Sequence, residues 1–220
     1  SQFMNALFAA GGIVMWPLLL FSIATLILTV ERSIFWFRIN RRQRPIIKQA
    51  LNLYRQQPSE VFPLLKRNLN FPMSRIFLEA LELEEASPNQ FRLALEGATH
   101  AERPLLKRFS SVFQTIIAIA PLLGLLGTIL GLIRSFAAVR IGEIGANANT
   151  VTGGISEALV STAAGMIVAI FALAVFNIFR AFYRRQMDLL QECTSQLEIV
   201  HEWHYQRVNQ QESVLHARVQ

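Results

Sequence analysis

Hydrophobic residues in this chain are gathered into three long blocks. In a soluble protein they would be spread along the chain among polar residues. The blocks run from about Gly11 to Val30, from Phe109 to Val139 and from Ile155 to Phe179. About 20 consecutive apolar residues in an α-helix span the hydrocarbon of a bilayer, where a helix satisfies its own backbone hydrogen bonds. The pattern therefore predicts an all-α integral membrane protein with three transmembrane helices.

Polar stretches between the blocks divide the chain into six parts. We expect an N-terminus with the first transmembrane helix, a helical region outside the bilayer, the second transmembrane helix, a short link, the third transmembrane helix and a helical tail. In that order, their predicted bounds are 1–39, 40–108, 109–139, 140–152, 153–180 and 181–220.

The region between the first two blocks is predicted to hold short helices. Prolines are expected to separate them, at Pro45, Pro58, Pro63 and Pro72. One helix is predicted over Ser74–Glu85. Another is predicted to begin at Ser87, because a capping serine, Pro88 at the first helical position and Gln90 at the third form a helix start signal. The region contains no phosphate-binding loop, so the sequence does not favour an ATPase.

The tail contains neither proline nor glycine from Ala181 to Gln220, so we expect the third transmembrane helix to continue into it. Its less polar residues recur every three or four positions, as on one buried face of a helix, at Leu190, Cys193, Leu197, Val200 and His204. His201 and His204 could bind a metal. Interfacial or surface histidines are the favoured interpretation, because no third ligand lies nearby in the sequence.

Basic residues account for the net charge of +6 and also predict the orientation of the chain. Of the 21 lysines and arginines, 14 lie between Glu31 and Ser111 and 5 lie from Arg180 onward, which leaves Arg134 and Arg140 near the link. Segments rich in Lys and Arg stay on the cytoplasmic side of a membrane. The N-terminus and the link are thus predicted to be periplasmic and the other polar regions cytoplasmic, which explains the positive charge without nucleic acid.

Polar and aromatic residues close the first block. We expect Glu31 and Arg32 at the level of the lipid headgroups, extended toward water or paired with neighbours. Trp36 and the arginines that follow it predict an interfacial aromatic belt and a cytoplasmic anchor. The single cysteine, Cys193, excludes an internal disulfide framework.

Small residues recur along one face of the second block, at Gly124, Gly127, Thr128, Gly131 and Ser135. A helix face with almost no side chains lets another helix approach closely, and packing is the expected role of the glycines. Thr128 is the hydroxyl in the middle of this face. It can bond to its own helix or line a hydrated path.

The third block carries a carboxylic acid on a surface of small residues. That surface consists of Gly153, Gly154, Ala158, Ala164, Gly165 and Ala169. Glu157 and Ser161 lie one turn apart on the same face, with Thr162 beside them. An acid followed by hydroxyls can form a path for protons or hydrated cations. Two other interpretations stay open: Glu157 is solvated at the outer end of its helix, or it pairs with Arg134 or Arg140.

In these two blocks the sequence resembles the ExbB/TolQ/MotA proton-channel family, and most closely its ExbB/TolQ branch. The resemblance rests on APLLGLLGT (Ala120–Thr128) with Gly131 and Phe136, and on GISEAL (Gly154–Leu159) with TAAG (Thr162–Gly165) and Asn177. Three blocks, where MotA has four spans, and Glu31-Arg32 after the first extend the similarity over most of the chain. Family members usually have a proline where this chain has Phe171, so a kink at that point is not carried over.

The resemblance implies a multi-pass motor subunit of the bacterial inner membrane, with long cytoplasmic helical extensions, that forms a homopentameric bundle around a central pore. The pore would hold a single-span ExbD- or TolR-like partner whose own aspartate takes up protons. Thr128, Glu157, Ser161 and Thr162 would then lie on the proton path. The implied work, with a TonB-like or TolA-like protein, is to energise TonB-type outer-membrane receptors or the Tol envelope system. Protons are the transported ion, and no cofactor is expected.

Other classes of function are weaker on the residues alone. A structural scaffold would use the small-residue faces only to assemble helices around a partner. A solute transporter is disfavoured, because three spans without an internal repeat suit alternating access poorly. An enzyme is the least favoured class.

Overall fold

The computed structural model describes residues 11–139 and 148–219, and the regular structure in those ranges is helical. The helices are α1 Met15–Gln56, α2 Val61–Arg67, α3 Pro72–Leu81, α4 Pro88–Leu106, α5 Ser110–Val139 and α6 Ala148–Val219, with a 3-10 turn at Pro58–Glu60. Stretches that are long and apolar enough to cross a membrane occur within 15–56, 88–137 and 151–217. The prediction of an all-α chain with three apolar helices is confirmed.

The chain divides into two compact units. The first, which we call the apolar unit, contains the described residues up to Ser33 and those of Phe109–Arg180. The second, which we call the polar unit, contains Ile34–Arg108 and the described part of the tail from Ala181. The three hydrophobic blocks of the sequence fall in the apolar unit.

The core of the apolar unit combines bulky apolar side chains with three alanines. It is built from Val14, Met15, Leu18, Phe113, Ile116, Ala120, Ala169, Ala172 and Val175. The alanines bring the backbones of α5 and α6 close together. Large apolar side chains point away from this core and are more than half exposed, including Leu20, Ile27, Leu122, Ile133, Ile167 and Ile170. A surface of this kind is typical of a protein that faces lipid and is rare on soluble monomers.

The polar unit has a conventional hydrophobic core, in which the tail takes part. Leu190, Cys193, Leu197 and Val200 are all less than a tenth exposed, so the predicted buried face of the tail is confirmed. Trp36 corrects a prediction. Its side chain is only 2% exposed and packs on Phe182 with ring centroids 6.0 Å apart, so it does not belong to an exposed interfacial belt.

Prolines separate the short helices less often than predicted. Pro58 and Pro72 begin helical segments, but Pro63 lies inside α2 and Pro45 lies inside α1, which continues to Gln56. A proline inside a helix leaves one carbonyl without its backbone partner. That carbonyl, four residues before Pro45, belongs to Arg41, an exposed residue where water can replace the lost bond.

Two other helix bounds differ from the prediction. Pro72, whose fixed φ suits a first helical position, starts α3 two residues before Ser74, and the helix ends at Leu81. The chain then turns through Glu85, which adopts a left-handed φ of 52° and cannot extend the helix. At the other bound, α6 begins at Ala148, within the predicted link 140–152, and residues 140–147 lie outside the described ranges. The change from apolar to polar residues marks where the hydrocarbon of the bilayer ends, but a helix can extend beyond that point.

The start of α4 agrees with the sequence prediction. The Ser87 hydroxyl accepts a hydrogen bond from the Gln90 backbone N–H at 3.3 Å. In return the Gln90 side-chain oxygen accepts one from the Ser87 N–H at 2.9 Å, which completes a capping box.

Candidate functional site

The contact between α5 and α6 is built on glycine. A Cβ atom on Gly124 would lie 2.9 Å from the Ser161 carbonyl oxygen and 3.1 Å from the Thr162 Cα, and one on Gly165 would lie 3.0 Å from the Gly124 Cα. A Cβ atom on Gly131 would likewise lie 2.9 Å from the Gly154 carbonyl oxygen of α6. Because the neighbours are backbone atoms, larger residues here would push the helices apart.

Two threonine hydroxyls meet inside this contact. The Oγ1 atoms of Thr128 and Thr162 are within hydrogen-bond distance of each other. Thr128 Oγ1 also lies 3.0 Å from the Ala158 carbonyl oxygen and 3.3 Å from the Gly124 carbonyl oxygen, and Thr162 Oγ1 lies 3.2 Å from the same Gly124 oxygen. The two candidate pore-lining threonines thus form one hydroxyl pair, which joins α5 to α6.

Two serines flank the pair. The Ser161 side chain is fully buried, lies against Gly127 and donates to the Ala158 carbonyl oxygen at 2.9 Å. Ser135, one turn beyond Gly131, is buried against α6 and donates to the Gly131 carbonyl oxygen at 2.9 Å. The hydroxyls of Thr128, Ser135, Ser161 and Thr162 thus form a polar stripe along the α5–α6 contact.

This arrangement lets the hydroxyl proton of Thr128 change its acceptor. A hydroxyl has one proton to donate but can accept two hydrogen bonds. Thr128 has three acceptors within reach, so its proton can change partner without a large movement of the side chain. The described residues contain no cluster of three or more metal-binding side chains. The chemistry that the stripe offers is reorientation of hydroxyl protons.

Glu157 lies toward the start of α6 and forms an ion pair across to α5. The Nη1 atom of Arg134 donates to Glu157 Oε1 at 2.8 Å, with 55% of the arginine side chain exposed and 19% of the glutamate. Of the interpretations left open by the sequence, the structure contains the ion pair with Arg134. Arg140, the other candidate partner, lies outside the described residues.

Glu31 and Arg32 pair with each other near the end of the first block. The Arg32 Nε atom lies 2.6 Å from Glu31 Oε2, and the guanidinium sits over the Phe109 ring at 5.6 Å. The arginine side chain is 3% exposed and the glutamate 40%. The guanidinium thus connects α1 to Phe109, the residue before α5.

The two tail histidines bind within the polar unit. His201 Nδ1 lies 3.0 Å from the Tyr54 hydroxyl and its Nε2 lies 2.8 Å from the Ala86 carbonyl oxygen, while His204 Nε2 lies 2.8 Å from the Tyr54 carbonyl oxygen. The His201 ring also stacks on the Phe91 ring, with the ring centroids 3.9 Å apart. Both rings therefore connect α6 to other helices of the polar unit, and both are only partly exposed.

One residue near Glu157, Gly12, was not identified from the sequence. Gly12, in the turn before α1, has a φ of +73° and lies against the Glu157 carboxylate. A lone glycine at the start of an apolar block gives no signal of such a contact, because the contact depends on how three distant segments pack.

Comparisons with known proteins agree on one family. The model of the MotA/TolQ/ExbB proton channel family matches residues 68–192, a range that contains the hydroxyl pair and the ion pair. The Synechocystis sp. protein named ExbB-like 3 is 56% identical over 193 residues, which cover 87% of this chain and 92% of that protein. Biopolymer transport protein ExbB of Neisseria meningitidis serogroup A is 30% identical over 213 residues, covering 89% and 91%. The ExbB protein of Salmonella typhimurium is 29% identical over 174 residues, covering 76% and 71%.

Proposed function

Because this chain belongs to the MotA/TolQ/ExbB proton channel family, we propose that it is a motor subunit that couples the proton motive force to TonB-dependent transport at the outer membrane. The observation that carries the proposal is the Thr128–Thr162 hydroxyl pair inside the α5–α6 contact. Hydroxyls in such a contact can join two helices, and they can also line a hydrated or proton-conducting path.

The chain supplies a surface for protons but lacks a deep carboxylate of its own. In the sequence of the second and third blocks and their link, the acids are Glu143 and Glu157, and neither lies in the middle of a block. The central proton carrier is therefore assigned to a carboxylate on a single-span ExbD- or TolR-like partner. Protons pass between that carboxylate and the threonine pair, with Ser161 beside the pair and Glu157 at the entrance.

The proposed assembly is a homopentamer in the bacterial inner membrane that surrounds this partner and works with a TonB-like or TolA-like protein. The apolar side chains exposed on the apolar unit support burial in lipid or against other subunits. The distribution of basic residues supports a periplasmic N-terminus and a cytoplasmic tail.

The test is a pair of separate substitutions, Glu157→Ala and Thr162→Val, in a strain whose growth depends on the complex. Both are expected to abolish or strongly reduce TonB-dependent uptake at normal protein levels. Thr115→Val, which removes an exposed hydroxyl of the same unit, is the matched control and should be silent. Full activity in both test variants would refute the proton path.

The same strain distinguishes the alternatives. A structural scaffold predicts that Glu157→Gln is silent while Gly165→Leu abolishes assembly. A Tol-type motor predicts envelope defects in the test variants with normal TonB-dependent uptake.

A further inference from the structure

Three separate segments of the apolar unit meet at the Glu157 carboxylate. It is contributed by the start of α6, Arg134 reaches it from α5, and Gly12 lies against it in the turn before α1. The turn is closed by a hydrogen bond from the Met15 N–H to the Gly12 carbonyl oxygen at 3.2 Å.

Only glycine suits the position of Gly12. Its φ of +73° is left-handed, which strains any residue with a side chain. A Cβ atom there would also overlap Glu157 Oε1 and lie 3.2 Å from its Cδ. The carboxylate therefore rests directly on the backbone of the turn, which explains why only 19% of the glutamate side chain is exposed.

The same three segments stay in contact one turn deeper. A Cβ atom on Gly127 of α5 would lie 3.5 Å from the Val14 Cβ, in the turn before α1, and 2.6 Å from the Ser161 Cβ of α6. Ser161 is one helical turn from Glu157 and beside Thr162. The ion pair thus closes the end of a seam that leads to the hydroxyl pair.

We propose that Gly12, Arg134 and Glu157 form an outer latch that keeps protons out of this seam while the ion pair is intact. The inference rests on the proposed function and assigns Arg134 and Gly12 as positioning residues. The latch opens when the guanidinium and the carboxylate separate. Arg134 keeps its charge and moves into solvent. An ion pair with a half-exposed arginine is weak enough to open in this way.

The latch is tested with the complete complex, including its single-span partner, reconstituted in vesicles that contain a pH-sensitive dye. Arg134→Gln is expected to increase the resting proton leak about two- to fivefold, the size of effect typical of exposed ion pairs. Arg134→Lys should leak like the wild type, because lysine keeps the charge. The matched control Arg180→Gln removes an exposed arginine of the same unit and should have no effect.

A second pair of variants tests the turn. Gly12→Ala is expected to raise the leak as Arg134→Gln does, whereas Gly153→Ala should not, because no atom lies within 4 Å of a Cβ placed on Gly153. The latch is refuted if the leak of Arg134→Gln is unchanged or lower, if Lys is no better than Gln, or if Gly12→Ala matches its control.

Failure of the latch and failure of the proposed function give different results. If the wild-type complex shows no proton flux even with its partner, the proposed function is wrong. The ion pair is then tested by a double-mutant cycle with Arg134→Gln and Glu157→Gln. The cycle compares the thermal unfolding of the variants, so it does not depend on proton flux. Additive effects in that cycle would refute the contact itself.

Discussion

The Tyr54 hydroxyl donates a hydrogen bond to Nδ1 of His201 across 3.0 Å, although the two residues lie 147 positions apart. The direction follows from the other ring nitrogen. His201 Nε2 lies 2.8 Å from the Ala86 carbonyl oxygen, which can only accept, so Nε2 carries the proton and Nδ1 is the acceptor. The neutral ring is thus fully bonded between the end of α1 and the start of α4.

A pH dependence of stability follows from this geometry. Burial lowers the pKa of His201 below its usual 6.5, opposed by the Ala86 carbonyl and reinforced by nearby His204. The unfolded chain then binds a proton at a higher pH than the folded one, so the stabilisation is complete above pH 6.5 and is lost as pH falls below it. Thermal unfolding of the purified protein between pH 5 and 8 should show this slope. It should be reduced in His201→Gln and kept in His216→Gln, which removes an exposed histidine; equal slopes would contradict the assignment.

Two glycines of α6 should respond to alanine in opposite directions. In Gly165→Ala the new methyl group would lie 3.0 Å from the Gly124 Cα, so the helices must separate at a cost of about 1–3 kcal/mol. Gly153 has open space around it, and Gly153→Ala is expected to stabilise the helix by up to about 1 kcal/mol. Melting temperatures of the two variants measure the difference, and a neutral Gly165→Ala would show that the contact is looser than described.

The hydroxyl pair should behave as a unit. Thr128→Val removes the bond to Thr162 and the contacts with the Ala158 and Gly124 carbonyl oxygens, while Thr128→Ser keeps the hydroxyl. Those two carbonyl oxygens still have the Ser161 and Thr162 hydroxyls within reach. We expect the valine variant to lose proton flux and the serine variant to retain most of it. In a cycle with Thr162→Val, the two losses should be non-additive in stability by about 0.5–3 kcal/mol. Strict additivity would show that the hydroxyls act separately.

Cys193 is expected to be an unreactive thiol. Burial, aided by Glu192 and opposed by Arg44, raises its pKa to about 11. Because the thiolate is the nucleophile, a maleimide at pH 8 should react on the order of a hundredfold more slowly than with a free cysteine. Mass spectrometry of timed samples measures the rate, and denaturant should restore it. Fast labelling of the folded protein would mean that α6 is open at this position.

The helices were predicted from local sequence patterns. The three apolar helices follow from runs of hydrophobic residues, and the start of α4 follows from Ser87 and Gln90, which lie within one turn of each other. The proline signals were less reliable. Pro45 is a strong helix breaker in isolation, but packing of the residues around it, such as buried Ile47, keeps α1 intact.

The sequence by itself determined that the chain is a membrane protein with three apolar helices and a polar stripe, because block length, glycine spacing and caps act between neighbouring residues. Only the tertiary structure decided which groups bind one another. Arg134 pairs with Glu157 across 23 positions, Thr128 meets Thr162 across 34, and Gly12 supports the carboxylate from a third segment. These contacts depend on the axial register and rotation of packed helices, where a shift of one residue turns a side chain by about 100°. That register is set by the sum of all contacts along the helices, and no single motif determines it.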